Sequence, residues 1–117
     1  MPKSINELTE ALDQFAKERD WDKFHSPKNL TMALSGEVGE LTELFQWITE
    51  EESHNLTEKQ KARVKEELAD VFLYLLRLAD KTGVDLICAA HEKISINEDK
   101  YPIEKSYGSA KKYTEFD

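Results

Sequence analysis

The sequence predicts an all-α protein, a four-helix bundle in a single domain over residues 1–117, with a C-terminal tail from about residue 102. Three observations carry this expectation. Apolar residues recur three and four positions apart in four separate stretches, the spacing that gathers side chains on one face of a helix. Each stretch opens on a residue suited to accept the free amide hydrogens of a first helical turn: Ser4, Ser26, Thr57 and Asp85. No segment alternates apolar and polar residues over the length of a strand.

The first helix is expected over about Ile5 to Arg19, where Ser4 and Glu7 form an S-x-x-E capping pair ahead of Leu8, Leu12 and Phe15. Ser26 followed by Pro27 starts a long second helix, whose apolar pattern runs from Leu30 to Ile48. The stretch EEESHNLT is a polar break. Thr57 with Gln60 is a second capping pair, and the third helix carries Val64, Leu68, Val71, Leu75 and Leu78 toward the core before stopping at Gly83. Asp85 caps a fourth helix with Ile87, Ala90 and Ile94 inward, which ends at Pro102.

Composition excludes several classes of function. A net charge of −8 on 117 residues leaves no basic surface for a nucleic-acid backbone. No apolar run approaches the ~20 residues that a membrane-spanning helix requires. The lone Cys88 has no disulfide partner, and the polar start MPKSINELTE has no signal-peptide core, so a cytoplasmic location is the expectation.

Within the second helix the segment GEVGELTELFQW, Gly36 to Trp47, places glutamates on an otherwise apolar stripe. At about 100° per residue, Leu34, Leu41, Leu44, Phe45 and Ile48 lie within roughly 60° of Leu30, and Glu37 falls inside that arc. Glu40 and Trp47 take one flank, whereas Glu43 faces away. On the third helix Glu67, Asp70 and Tyr74 share a flank, and the adjacent Glu66 points elsewhere. Two helices thus each bring two carboxylates, three residues apart, to the edge of an apolar seam.

Unpaired carboxylates buried there would cost several kcal/mol each. The lysines and arginines of these two helices lie away from the seam or near the helix ends, so a divalent cation is the expected counter-charge. An all-carboxylate set completed by water and phosphate oxygens suits Mg²⁺, or Mn²⁺, rather than zinc. A di-iron bundle would need inward Glu-x-x-His pairs on two helices. Glu51 and His54 alone have that spacing, and they fall in the polar break.

GEVGELTELFQW followed by EELADVFLYLLRLA resembles the E-x-x-E…E-x-x-D signature of the MazG-like all-α nucleoside triphosphate pyrophosphatases. RDWDKFHSPKNL and KYPIEKSYGSAKKYT extend the resemblance to the dCTP pyrophosphatase branch, over nearly the whole chain. The resemblance implies that Glu37, Glu40, Glu67 and Asp70 hold Mg²⁺. It also implies that the metal neutralises a triphosphate, polarises its α-phosphorus and activates the attacking water, releasing a monophosphate and pyrophosphate. Glu37 or Glu40 is the candidate to orient or deprotonate that water.

Aromatic faces stack on nucleobases. Trp21 and Phe24 with His25, just before the second helix, and Trp47 are therefore the base-pocket candidates, and in the resembled branch the matching tryptophans line that pocket. Tyr74 is placed for a phosphate. Lys93 and Asn97, four apart on the fourth helix, match family positions that face substrate, within the subunit or across from a neighbour. Ser109, Lys112 and Tyr113 match a recurrent family segment, which implies a tail folded back over a site or an interface. Phe72, Leu73 and Leu76 spread the apolar surface of the third helix over more than half its circumference, so a second side must be covered. The resemblance supplies a homotetramer, a dimer of dimers. The competing reading is a non-catalytic helical adaptor or antitoxin-type partner protein. An intact set of four acids with both tryptophans is the feature that such a scaffold need not keep.

Overall fold

The computed structural model describes residues 3–117, and every regular element among them is helical. The long helices are α1 (Ile5–Glu18), α2 (Pro27–Phe45), α4 (Glu58–Thr82) and α5 (Leu86–Lys100); single turns form α3 (Glu50–Ser53) and α6 (Ile103–Ser106). No helix among the described residues is long and apolar enough to cross a membrane. The chain divides into two compact units, one ending at Gly83 and the other comprising Val84–Asp117.

The caps explain where the helices begin. Ser26 Oγ accepts the Asn29 amide at 3.1 Å with Pro27 in the first turn. Thr57 and Gln60 close a full capping box, and Asp85 accepts from the Cys88 amide. At α1 the capping pair is offset: Ser4 accepts the Glu7 amide, but the Glu7 carboxylate takes the Lys3 amide at 2.9 Å rather than that of Ser4. The polar break holds structure of its own, because Thr49 and Glu52 form a capping box that starts α3.

Two left-handed residues end helices. Gly83 closes α4 at φ 71, the conformation glycine adopts without a side-chain penalty. Asp20, at φ 54, closes α1: the Asp20 amide bonds Lys17 O at 3.1 Å and the Trp21 amide bonds Ala16 O at 2.9 Å, the paired bonds of a Schellman stop. A short polar side chain tolerates this geometry better than a branched one, and the stop turns Trp21 back along the helix it follows.

In the first unit α2 and α4 pack along their lengths, and α1 lies on α4. Leu30 and Leu76 are each 1% exposed and Ala16 is fully buried. Each leucine so placed contributes about 1.5–3 kcal/mol. The seam on α4 differs from the expected one: Leu76 and Ala79 are buried, whereas Leu68 and Leu75 are 51% and 37% exposed. α4 packs against both α1 and α2, so a single stripe centred on Val64 does not describe its buried positions.

In the second unit α5 exposes Ile87 and Ile94, which were expected inward, along with Ala90. The tail does fold back, onto its own unit. Tyr101 packs edge-on against Tyr113 and Phe116, with ring centroids at 5.8 and 5.7 Å, and Lys100 lies over the Tyr113 ring.

Candidate active site

Glu37 on α2 converges with Glu67 and Asp70 on α4, each offering a carboxylate oxygen within 4.8 Å of the others. The antiparallel pairing of the helices brings this about: Leu44 and Val64 meet at one end of the pair while Glu37 meets Asp70 further along. Glu40 is solvent-exposed and stands beside this trio rather than within it. Oε2 of Glu37 and Oε2 of Glu67 are buried and have no hydrogen-bond partner. Desolvation, reinforced by the neighbouring Glu40, Asp70 and Glu67 carboxylates, pushes Glu37 up to about 7. Glu67 is raised as well, by desolvation first and then by Glu40.

Native proteins seldom leave buried oxygens orphaned. Two orphans from different helices, among carboxylates that repel one another, form a set that a divalent cation fits. The donors are hard carboxylate oxygens, the chemistry of Mg²⁺-like rather than thiolate-bound ions.

Beside the acidic cluster lies a cavity of about 190 Å³ whose walls include Leu12, Phe15, Trp21, His25, Tyr74 and Arg77, and Asp70 lines it as well as belonging to the cluster. Phe15 meets Trp21 edge-on at 5.6 Å, and Trp21 meets His25 at 6.4 Å, so the aromatic wall is braced from both sides. Two of the four base-pocket candidates, Trp21 and His25, thus line one cavity with the phosphate candidate Tyr74 and the metal-ligand candidate Asp70. Phe24 is exposed and lies outside this wall, with Lys23 over its ring.

Trp47 requires a correction. The second helix stops at Phe45 rather than Ile48, because Gln46 caps it and Thr49 begins a new capping box. Trp47 therefore leaves the Glu40 flank. It is 83% exposed and lines a separate cavity with Leu44, Leu56 and Val64. Among the described residues, Trp21 and Trp47 line different cavities. Lys93 and Asn97 are exposed on α5 in the second unit.

Arg77 was missed by the sequence reading, which placed the α4 cations away from the seam. It is 2% exposed and donates to Asp13 and to Asp22 at 2.7 Å each, and to His25 at 3.1 Å. Hydrogen bonds from Lys17 and Arg77 hold Asp13 down to about 2, and Lys81 lowers Asp22. His25 is lowered by burial and then by the Arg77 charge, both of which disfavour the imidazolium. A lone cation inside the apolar run VFLYLLRLA was the available signal.

The chain is thus all-helical, with a carboxylate cluster between α2 and α4 and an aromatic cavity at its side, and this combination is shared with a family of known sequence. The model of the MazG-like family matches residues 32–116, and this chain belongs to that family. It is 48% identical over 104 residues to dCTP pyrophosphatase 1 of Homo sapiens and 49% identical to that of Rattus norvegicus, in each case over 87% of this chain. The chain spans 61% of the length of these relatives. A crystal structure of a pyrophosphatase from Archaeoglobus fulgidus superimposes with a TM-score of 0.80 at 42% identity, covering 87% of this chain and 95% of that one.

Proposed function

We propose that this chain is a Mg²⁺-dependent nucleotide pyrophosphohydrolase that cleaves dCTP, or a 5-modified dCTP, to the monophosphate and pyrophosphate, as a cytoplasmic guardian of the nucleotide pool. The observation that carries the reading is Asp70, which belongs at once to the carboxylate cluster and to the aromatic cavity. A nucleotide with its base in that cavity would set its phosphates against the acids. The printed activity of the relatives, dCTP pyrophosphatase, supports the choice of substrate.

Glu37, Glu67 and Asp70 would hold the cation through their converging oxygens, with Glu40 completing the set. When bound, Mg²⁺ or Mn²⁺ supplies the charge that neutralises a triphosphate and the Lewis acidity that makes its α-phosphorus electrophilic. Glu40, exposed beside the trio, would use its outward oxygen to orient or deprotonate the attacking water while it completes the set. Trp21 offers its face to the base and Tyr74 a hydroxyl to a phosphate oxygen. Leu12 and Phe15 keep that part of the cavity dry, which strengthens each polar contact beside it.

The reading extends to a homo-oligomer of the dimer-of-dimers kind. Leu68, Phe72 and Leu75 form one exposed stripe on α4, and Ile87 and Ile94 another on α5. Copies of this chain would cover both and would bring Trp47, Lys93 and Asn97 to neighbouring sites. An adaptor role accounts less well for buried, unpaired carboxylate oxygens, which destabilise a scaffold that has no ligand for them.

Initial rates on a panel of ribo- and deoxynucleoside triphosphates, with and without Mg²⁺, test the proposal. Expected are dCMP and pyrophosphate from dCTP only when the cation is present. Orthophosphate as the first product, or turnover indifferent to chelation, refutes it.

A further inference from the structure

Arg77, the most deeply buried charge among the described residues, lies outside the acidic cluster and has more partners than ion pairing requires. Its two terminal nitrogens meet Asp13 and Asp22, which satisfies the charge. Its third nitrogen, Nε, is directed at a ring: it gives its hydrogen to His25 Nδ1 at 3.1 Å.

Guanidinium only donates. Nδ1 must therefore present its lone pair, and the single proton of the neutral imidazole resides on Nε2. The Arg77 charge beside the ring opposes a second proton. Among the described residues Nε2 has no hydrogen-bond partner of its own, and His25 lines the cavity beside Trp21 and Tyr74. His25 thus stands in the cavity with one fixed donor and no free acceptor.

We propose that Arg77 is a positioning residue for base selection: by occupying Nδ1 it fixes His25 as an Nε2–H donor that favours cytosine over uracil. The inference rests on the reading of this cavity as the base site. The reason is chemical. On the edge that distinguishes the pyrimidines, cytosine offers two adjacent acceptors, N3 and O2, whereas N3 of uracil carries hydrogen and confronts a fixed donor with another donor. A histidine free to switch to the Nδ1–H tautomer would present an acceptor at Nε2 and lose that discrimination. Asp13 and Asp22 hold the guanidinium in place from α1 and from the connecting segment, so the choice made at Nε2 is set by three parts of the fold.

The first measurement needs no catalysis. Two-bond ¹H–¹⁵N spectra of histidine-labelled protein at neutral pH, alone and with α,β-imido-dCTP, should show His25 as a single tautomer with Nε2 protonated, its Nε2 signal moving when the nucleotide binds. A ring protonated at Nδ1, a mixture of tautomers or an imidazolium overturns the proposal. A fixed Nε2–H tautomer in a protein that does not hydrolyse dCTP would instead refute the proposed function, so the two failures are distinct.

Arg77→Lys keeps the charge and removes the fork. It should mix the tautomers and raise KM for dCTP about three- to tenfold, the worth of one neutral hydrogen bond, with kcat held and the dCTP over dUTP preference shrinking by the same factor. Loss of active protein with KM and preference unchanged would mean that Arg77 serves folding alone. Should Arg77→Lys fail to fold, His25→Gln and His25→Asn decide the matter. Glutamine carries an amide near the Nε2 position and asparagine one near Nδ1, so the dCTP preference should fall further in His25→Asn. Equal preference in the two variants overturns the inference.

Discussion

Removing the charge of Glu37 should stabilise the metal-free protein and destabilise the metal-loaded one. Oε2 of Glu37 is buried without a partner, and the Glu40, Asp70 and Glu67 carboxylates surround it. Its carboxyl rises from an ordinary 4.5 to about 7, which corresponds to at most about 3 kcal/mol of differential free energy. Glu37 is only half-buried, so solvent screening reduces this to about 1–2 kcal/mol. The sign follows from proton counts. Between 4.5 and about 7 the native state holds the proton that the unfolded chain has released, so wild-type stability falls as pH rises through that window. Glu37→Gln lacks this slope. In chelator, thermal melts of the two proteins should coincide near pH 4.5 and diverge toward pH 7 and above, with the variant melting about 4–10 °C higher. Added Mg²⁺ should reverse the order, because a cation that binds only the native state stabilises it in proportion to its affinity and the variant has lost a ligand. A Tm difference independent of pH, or a variant that still gains as much from Mg²⁺ as the wild type, would refute the reasoning.

Glu40→Gln and Asp70→Asn should lower kcat on dCTP by orders of magnitude while circular dichroism remains native, since each removes a charge and retains shape; retained activity in both would dismiss the acidic cluster as the centre. Trp21→Ala should raise KM for dCTP about tenfold to hundredfold, the loss of one stacking contact of 1–3 kcal/mol, provided that the variant keeps its fold and size. An equal rise on Trp47→Ala would show that Trp47 reaches the base from another copy, because within one chain it lines a different cavity. Asp13, held at about 2 against an ordinary 3.8, contributes stability that is complete above 3.8 and lost as pH falls toward 2. Unfolding free energies from urea titrations should therefore decline through that range by about 1–2 kcal/mol, and Asp13→Asn should flatten the decline.

The helix starts were legible because caps are local: Ser26, Thr57 and Asp85 act on amides three residues away, a distance the sequence displays directly. The converging acids were legible for a similar reason, since Glu37 interrupts a periodic stripe. The end of α2 was not, because the apolar pattern continues through Ile48 while the Thr49 capping box competes for the same backbone. Arg77 was hidden because its partners lie 52 to 64 residues away, and its wheel position marks it as peripheral to a seam that is not the one it serves. The division of the aromatics between two cavities depends on the turn after Phe45, which periodicity does not report.

The second unit has no buried side chain along its length from Val84 to Asp117. α5 is 15 residues long, close to the length at which an isolated helix is marginal in water. Amide protection should therefore come in two tiers. The amides around Leu30 and Leu76 should exchange only by global unfolding, and those of α5 by a cheap local opening. The surface that carries Lys93 and Asn97 would then owe its order to whatever covers it, so that the slowing of exchange along α5 with rising protein or nucleotide concentration measures assembly residue by residue.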